Sequence, residues 1–406
     1  VKQDRHLQYP QLILRQGSEH TVRNGHPWIF SGAVAQKPDT RPGSIVDVLD
    51  SKKHFICRGT YNPRAMIRVR ALTHNSEEVI DDNFIAQRLQ KALNLRTRSR
   101  LYESTNAVRL VNGEADGFPG LILDDYNGFL VVQFHTLGMD NLKEMILNGI
   151  EKVFEPKCIY ERSDVGTRRA EGLKNRPIGK LRGMNPPDLI DIEEHDVNLS
   201  VDIYNGQKTG YFIDQRANRF QLQRLAASAD ILNLFSYSSA FSAHALRGGA
   251  KSTLDVDISI KAHQAAKINI EKNRGNCLKT CHIVADAFNF TEALSKKSPR
   301  FDIAIVDPPS LVRKRDKNGI KKTLGVYTKL NRNALRAIRN GGIIVTSSCS
   351  TPINNEDFFT VLSRAAAGAN VSLRILTVSS HCPDHPINPF FPDGRYLKSI
   401  TAEVSR

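Results

Sequence analysis

The sequence predicts an α/β protein whose largest domain is a mostly parallel sheet covered by helices on both faces. From about Val197 onward, short apolar strands alternate with helical segments, which is the pattern of parallel sheets. Residues 12–72 contain short β-type runs separated by Gly and Pro, which predicts a small β module. Strands and a helix are mixed between these regions. We therefore divide the 406 residues into domains 1–80, 81–196 and 197–406.

The composition is that of a folded and strongly basic protein. Lys and Arg number 57 against 42 Asp and Glu, so the net charge is +15, and 40% of the residues are hydrophobic. These values exclude a disordered or collagen-like chain. A positive surplus of this size favours a polyanion as partner, and we prefer nucleic acid to a merely soluble basic surface.

The cysteine pattern and the shortness of the apolar runs indicate the cellular compartment. The six cysteines are spread through the chain and form no C-x-x-C pair, which is typical of a reduced cytosolic protein. Cys277 and Cys281 have nearly a zinc spacing, but no matching pair follows, so we predict no metal site. No signal-peptide core and no membrane span of roughly 18 to 20 apolar residues is present. We expect a cytoplasmic protein without membrane attachment, and the oligomeric state stays open, a homodimer included.

The first two domains contain predicted strands and two predicted helices. In the β module, the strands are LILRQG, SIVDVLD, FICRGTYN and AMIRVRAL, and Arg58, Arg64, Arg68 and Arg70 cluster near its end. An apolar stripe predicts a helix over residues 81–100. In the middle domain, residues 108–134 predict two or three strands, NLKEMILNGIEKVF a helix and CIYERSD a strand. The basic stretch 168–187 is either a loop that contacts RNA or a long solvated hairpin.

The C-terminal domain is predicted to alternate strands with helices. The predicted strands are DILNLF, STLDVD, HIVADA, FDIAIVD and GGIIVTSS. Helices are predicted at SSAFSAHALRGG, SIKAHQAAKINIEKNRG and YTKLNRNALRAIRNGG, each closed by glycine. Ligands of such sheets bind beyond the carboxyl ends of the strands. The residues that follow each strand are therefore the candidate site.

The first three strand ends suit a nucleoside ligand. Small residues after the first strand let a ligand approach a helix N-terminus, whereas Ser238 or Ser239 could instead cap that helix. Asp257 lies 20 residues beyond Tyr237, where an acidic residue accepts hydrogen bonds from ribose hydroxyls. Asp255 is a rival for that role. Asp286 follows the third strand and is suited to contact the edge of an adenine ring. Alternatively, its side chain satisfies backbone groups of the turn.

The last two strand ends carry Asp307-Pro308-Pro309-Ser310 and Ser347-Ser348-Cys349-Ser350. The prolines fix φ and stiffen the loop that follows Asp307. The chain has no G-x-G-x-x-G and no G-x-x-x-x-G-K-[ST] motif. Their absence counts against a nicotinamide dehydrogenase and a P-loop NTPase.

These motifs, taken together, resemble those of a known family. NLFSYSSAFSAHALRGGA, Asp257, ADAF, FDIAIVDPPS and IIVTSSCS resemble class I S-adenosylmethionine-dependent methyltransferases, and more closely the RlmI-type large-subunit ribosomal RNA cytosine-C5 methyltransferases. GQKTGYFIDQRANR is similar to the family's segment that flanks the cofactor. GHPWIFSGAV and GTYNPRAMIRVRAL resemble its N-terminal PUA domain, an RNA-binding β-barrel, and NGEADGFPGLILDDY resembles its middle domain.

The resemblance implies a Rossmann-like methyltransferase domain at 197–406 that uses S-adenosyl-L-methionine and acts on RNA, with 23S rRNA as the expected substrate. The residues that it places at the cofactor are Gln215, Arg216, Phe235, Ser236, Tyr237, Ser238, Ser239, Ala240, Asp257, Ile258, Asp286, Ala287 and Asp307. The candidate RNA-binding residues are Arg64, Arg68, Arg313, Lys314 and Arg315. For Arg313, Lys314 and Arg315, the alternative is a solvated charged loop.

The resemblance further implies that Cys349 is the nucleophile and that Asp307 stabilises the base. The alternative for Cys349 is a buried strand-end cysteine without a chemical role. Ser238-Ser239 stands where the family has Thr-Gly, and a missing glycine restricts the backbone wherever φ must be positive. Two other functions therefore stay open: an RNA-binding protein with an inactive methyltransferase domain, and a methyltransferase that acts on a purine.

Overall fold

The computed structural model describes residues 9–275, 279–298, 300–312 and 316–406. The chain divides into two compact units. The first runs up to residue 190 and includes residues 207–209 and 383–394, and the second comprises residues 191–206, 210–382 and 395–406. The division of the first unit into two domains stays a prediction.

The first unit contains a six-stranded and a five-stranded sheet. Its elements are β1 (Gln11–Leu14), α1 (His20–Arg23), β2 (Trp28–Phe30), β3 (Val34–Gln36), β4 (Ile45–Leu49), β5 (Phe55–Tyr61), β6 (Ile67–Thr73), α2 (Asp82–Arg98), β7 (Ala107–Asn112), β8 (Leu121–Tyr126), β9 (Phe129–Phe134), α3 (Leu137–Asn141), α4 (Lys143–Phe154), β10 (Cys158–Arg162) and β11 (Ile178–Gly183). The strand orders are β2-β6-β5-β4-β1-β3 and β11-β10-β9-β8-β7.

Each sheet of the first unit has its own apolar core. Leu12, Leu14, Val46 and Val48 belong to the core of the six-stranded sheet, where alternate residues of β1 and β4 face inward. The β module is thereby confirmed. The helix predicted over 81–100 is confirmed as α2, which begins where the Asp81 carboxylate accepts the Phe84 N–H at 2.8 Å.

The basic stretch 168–187 contains a strand that was not predicted. β11 pairs antiparallel with β10, so this part of the chain closes a hairpin, one of the two alternatives for it. Most of β11 is exposed or half-buried. With few apolar residues the stretch has no strand pattern of its own, so its pairing with β10 decides the conformation.

The second unit has the α/β fold that was predicted for the C-terminal domain, and the domain boundary at residue 197 stays a prediction. Its elements are β12 (Ile190–Glu194), β13 (Val197–Val201), α5 (Arg216–Gln223), β14 (Asp230–Leu234), α6 (Ala240–Arg247), β15 (Ser252–Asp257), α7 (Ile260–Asn273), β16 (Lys279–Val284), α8 (Ala287–Leu294), β17 (Phe301–Val306), α9 (Lys317–Ala337), β18 (Ile338–Ser348), α10 (Asn355–Ala369), β19 (Ser372–Ser379) and β20 (Lys398–Ser405). β12 and β13 form a separate two-stranded ribbon.

The large sheet has the strand order β16-β15-β14-β17-β18-β20-β19. The first five strands in this order are parallel, as predicted, and β20 runs antiparallel to β18 and β19. Leu234 lies opposite both Val256 and Val306, and Val306 lies opposite Thr346. The carboxyl ends of the parallel strands therefore meet at one edge of the sheet.

Two details of the second unit differ from the prediction. The helix predicted to end at the glycines near 341 begins earlier, at Lys317, and ends at Ala337. β18 starts at once with Ile338, which is fully buried and pairs with Phe301. Burial of Ile338 against the sheet thus ends the helix before its glycines. No element was predicted after residue 350, where α10, β19 and β20 lie. Among the described residues, no helix is long and apolar enough to span a bilayer.

Candidate active site

The turn between β14 and α6 has an unusual backbone. Phe235, Tyr237 and Ser239 all have positive φ, at 60°, 48° and 60°. Ser239 precedes α6 and takes the left-handed conformation for which the family's glycine is suited. The missing glycine therefore does not prevent the turn, although a non-glycine residue in this region costs about 1–3 kcal/mol.

Asp257 lies at the tip of β15 and faces this turn. Its Oδ2 accepts the Tyr237 N–H at 2.9 Å, and its Oδ1 accepts the Ser259 N–H at 2.9 Å. The residue is half-buried. A carboxylate has roughly four acceptor sites, so two bonds leave acceptor capacity for a pair of ribose hydroxyls. This geometry fits the predicted role of Asp257.

Its rival, Asp255, is fully buried one alternation further back along β15. Its Oδ1 accepts hydrogen bonds from Asn233 Nδ2 at 2.9 Å and Ser242 Oγ at 2.6 Å. Burial raises the pKa of Asp255 to about 6. These contacts make Asp255 a structural link between β14, β15 and α6, which favours Asp257 as the ligand.

The third strand end adds an aromatic contact and a helix cap. The rings of Phe235 and Phe288 meet edge to face, with centroids 5.2 Å apart. Asp286 caps α8 by accepting the Asn289 N–H at 2.9 Å. This contact matches the alternative role of Asp286, in which its carboxylate satisfies the backbone of the turn. Ala287 is buried and Ile258 is exposed. The adenine contacts assigned to these residues stay predictions.

Residues 210–219 pack beside the turn that follows β14. The Tyr237 hydroxyl donates to the Gly210 carbonyl at 3.1 Å. The rings of Phe212 and Tyr237 meet edge to face, with centroids 5.4 Å apart. Gln215 and Arg216 are both buried. Gln215 Oε1 accepts from Asn218 at 2.5 Å. The structure thus brings this segment to the predicted cofactor site.

Glu194, a buried residue that was not predicted, contacts the end of segment 210–219. Glu194 Oε1 and Oε2 lie 2.7 and 2.8 Å from Nε and Nη2 of Arg219, and Oε1 is 3.0 Å from Nε2 of His244. Arg216 Nε is 3.8 Å from Glu194. Burial opposes ionisation, but Arg219 and His244 hold the pKa of Glu194 well below its usual range. The alternation Ile190, Ile192, Glu194 placed this carboxylate on the apolar face of β12, a signal that could have found it.

The loops that follow the fourth and fifth predicted strands meet. Cys349 Sγ lies 3.9 Å from the Pro308 carbonyl, and the hydroxyls of Ser310 and Ser350 are 3.2 Å apart. Cys349 is half-buried. The structure therefore places Cys349 against the loop that begins at Asp307.

Tyr327 of α9 lies behind this pair of loops and was not predicted as part of the site. Ser348 Oγ donates to its hydroxyl at 3.1 Å, and Ser350 Oγ lies 3.4 Å from it. Burial raises the pKa of Tyr327 to about 12. A neutral phenol therefore holds the side-chain hydroxyls of the residues on both sides of Cys349.

The predicted RNA-binding residues have different surroundings. Arg313, Lys314 and Arg315 lie outside the described residues. Arg64 is exposed, whereas Arg68 Nη1 donates to the Pro63 carbonyl at 2.5 Å and so fixes its own loop. All five RNA contacts stay predictions.

Comparison with known proteins identifies the family. Residues 12–74 match the model of the PUA-like domain, and residues 176–388 match that of S-adenosylmethionine-dependent methyltransferases. The chain is 37% identical over 397 residues to "Ribosomal RNA large subunit methyltransferase I" of Alteromonas mediterranea, covering 97% of this chain and 99% of the relative. The Escherichia coli protein of that name is 33% identical over 395 residues, covering 97% and 99%.

The chain belongs to the ribosomal RNA large subunit methyltransferase I family. It is an α/β methyltransferase with an N-terminal PUA-like domain, and its cofactor is S-adenosylmethionine. Among solved structures, an S-adenosylmethionine-dependent methyltransferase of Streptococcus mutans has the same fold, with a TM-score of 0.81, 21% identity and coverage of 97% of this chain and 100% of that one. A second solved methyltransferase, complexed with S-adenosylhomocysteine, has a TM-score of 0.82 at 22% identity, covering 97% and 100%.

Replacing Asp257 by alanine is expected to weaken the binding of S-adenosylmethionine about tenfold or more. The change removes a charged acceptor, and hydrogen bonds to charged groups contribute roughly 1.5–3 kcal/mol. It also removes the acceptor of the Tyr237 N–H. Calorimetric titration measures the affinity. Asp191→Ala, at a largely exposed carboxylate paired with Lys272, is the control and should bind normally. Unchanged affinity in the Asp257 variant would exclude the ribose role.

Proposed function

We propose that this methyltransferase transfers a methyl group to carbon 5 of a cytosine in 23S rRNA, with Cys349 as the nucleophile. The observation that supports it most is the position of Cys349 Sγ, 3.9 Å from the Pro308 carbonyl and beside the loop that begins at Asp307. The named relatives act on large-subunit ribosomal RNA, which supports the choice of substrate. We also infer that the protein works in the cytoplasm.

Carbon 5 of cytosine needs activation because it is a weak nucleophile. In the proposed reaction, the Cys349 thiolate forms a bond to carbon 6, and the electron pair of the C5–C6 double bond makes carbon 5 reactive. Bound S-adenosylmethionine supplies the electrophilic methyl group that carbon 5 accepts. Loss of the carbon 5 proton then restores the double bond, and the S–C6 bond breaks to release the thiolate.

Asp307 is proposed to hold the base during these steps. It follows β17 directly, and Pro308 and Pro309 limit the motion of its loop. A carboxyl group there can hydrogen-bond the ring nitrogen and the amino group, which stabilises the adduct. The cytosine must first leave its stack, because a base inside a duplex is out of reach of the protein.

RNA binding is proposed to combine the PUA-like domain with basic side chains of both units. With a net charge of +15, the protein can neutralise several phosphates, and each contact releases counterions. Phosphate contacts position the RNA without reading its sequence. We place Arg64, Arg68, Arg313, Lys314 and Arg315 among these contacts.

Mass-spectrometric mapping of ribosomal RNA from cells that lack the protein tests this function. We expect one 5-methylcytosine of 23S rRNA to disappear and to return when the purified protein and S-adenosylmethionine are added. Loss of a methylated purine instead would show that the protein acts on a purine and that Cys349 has no chemical role. An unchanged modification pattern would favour an RNA-binding protein without activity.

A further inference from the structure

A buried lysine lies next to the loop that carries Cys349. Lys398 begins β20 opposite Ser348 of β18, and only 5% of it is exposed. Its Nζ donates to the Ser350 carbonyl at 2.7 Å and to the Tyr396 carbonyl at 2.8 Å. Lys398 therefore binds the backbone of the residue that directly follows Cys349.

Among the described residues, no carboxylate forms an ion pair with Lys398. An ammonium group has three N–H donors, and both acceptors of Lys398 are neutral carbonyl oxygens. Within the described part of the chain, no Asp or Glu oxygen lies within 4.0 Å of its Nζ. Buried lysines are rare unless they are paired with an anion. Asp357 acts on Lys398 through its charge without forming an ion pair, which leaves room for a second anion that is charged only part of the time.

Cys349 is the group that meets this description. A thiol carries no charge until it loses its proton, and its thiolate is stabilised by a neighbouring cation. Burial lowers the pKa of Lys398 to about 8, while the charges of Cys349 and Asp357 act to raise it. The interaction is reciprocal, because a cysteine that favours the ammonium form is itself favoured as thiolate by the ammonium.

We propose that Lys398 is a positioning residue that maintains Cys349 as a thiolate and fixes the loop around it through the Ser350 carbonyl. The proposal rests on the role of Cys349 given under the proposed function. When Cys349 ionises below about pH 8, the thiol proton goes to water and Lys398 stays protonated, so the ammonium acts as a counter-charge. In this way the enzyme would have its nucleophile charged before the RNA binds.

Among the described residues, the other titratable groups considered near the Cys349 loop do not supply this positive charge. Tyr327 of α9 is a neutral phenol, and Asp307 and Asp357 are acids whose negative charge opposes a thiolate. His381 accepts the Leu397 N–H through Nε2 at 3.1 Å, which requires an unprotonated nitrogen there. Among these groups, Lys398 alone can carry a positive charge, which it holds below its lowered pKa of about 8.

The rate of alkylation of Cys349 by iodoacetamide, followed as a function of pH in the full-length protein, tests the proposal. Peptide mass spectrometry separates Cys349 from Cys281, which is exposed and reports on the same sample. We expect Lys398→Met to move the midpoint of the Cys349 curve about 1 pH unit or more upward, because an adjacent opposite charge shifts an ionisation by about this amount. Lys398→Arg, which keeps the charge, should restore much of the wild-type midpoint, and the Cys281 curve should stay unchanged in all variants.

An unshifted Cys349 midpoint in Lys398→Met, with normal binding of S-adenosylmethionine, would overturn the proposal. Should that variant not fold, the wild-type protein decides the matter: the Cys349 midpoint must lie below that of Cys281, and an equal or higher value contradicts the proposal. Failure of the proposed function is recognised separately, since Cys349→Ala would then methylate RNA normally whatever the alkylation curves show.

Discussion

Replacing Cys349 by alanine is expected to abolish methylation of the target cytosine while S-adenosylmethionine binding stays normal. Without the sulfur, no bond to carbon 6 forms and carbon 5 remains too weak a nucleophile. Removal of a covalent nucleophile typically costs an enzyme at least about a thousandfold in rate. Transfer of radiolabelled methyl to 23S rRNA measures the rate, and calorimetry measures cofactor affinity.

The control for this variant is Cys281→Ala, which removes an exposed cysteine far from the end of β18 in sequence. Its methylation rate should equal that of the wild type. If Cys349→Ala instead methylates at a near-normal rate, Cys349 is only a strand-end cysteine, and the reaction proceeds without a covalent adduct.

Glu194→Gln is expected to destabilise the second unit by roughly 3–5 kcal/mol, because it leaves the buried guanidinium of Arg219 without its counter-charge. Both carboxylate oxygens of Glu194 bond to Arg219, at 2.7 and 2.8 Å, and all the groups involved are buried. Chemical denaturation followed by circular dichroism measures the change in the free energy of unfolding.

Glu292→Gln is the matched control for Glu194→Gln. It breaks an ion pair with Lys329 of 2.8 Å in which both side chains are about half exposed. Exposed pairs of this kind contribute little, so the unfolding midpoint should hardly move. A Glu194 variant as stable as this control would show that the buried cluster does not support residues 210–219.

The parts of the fold that follow a strong local pattern were predictable. The alternation of strands and helices predicted the five parallel strands, and the apolar stripe predicted a helix over residues 81–100, which is observed as α2 (Asp82–Arg98). Cys349 and the loop of Asp307 lie close together because they follow β18 and β17, which are adjacent parallel strands. These features depend on periodicity and connection rules that act along the chain.

Features that depend on tertiary packing were missed. The helix α9 ends at Ala337 because Ile338 is buried against Phe301, although glycines that suit a helix end come later. Lys398 and Tyr327 reach the Cys349 loop from elements distant in sequence. The spacing in sequence between Cys349 and either residue does not indicate these contacts, because they depend on how α9 and β20 pack against the rest of the domain.

The composition of the covalent complex with 5-fluorocytosine RNA tests the central claim most directly. Fluorine at carbon 5 blocks the proton loss that would release the enzyme, so the adduct accumulates. After protease and nuclease digestion, mass spectrometry should find the peptide that contains Cys349 joined to a methylated 5-fluorocytidine nucleotide. An adduct on any other residue, or methylated 5-fluorocytosine RNA without a protein adduct, would contradict the account.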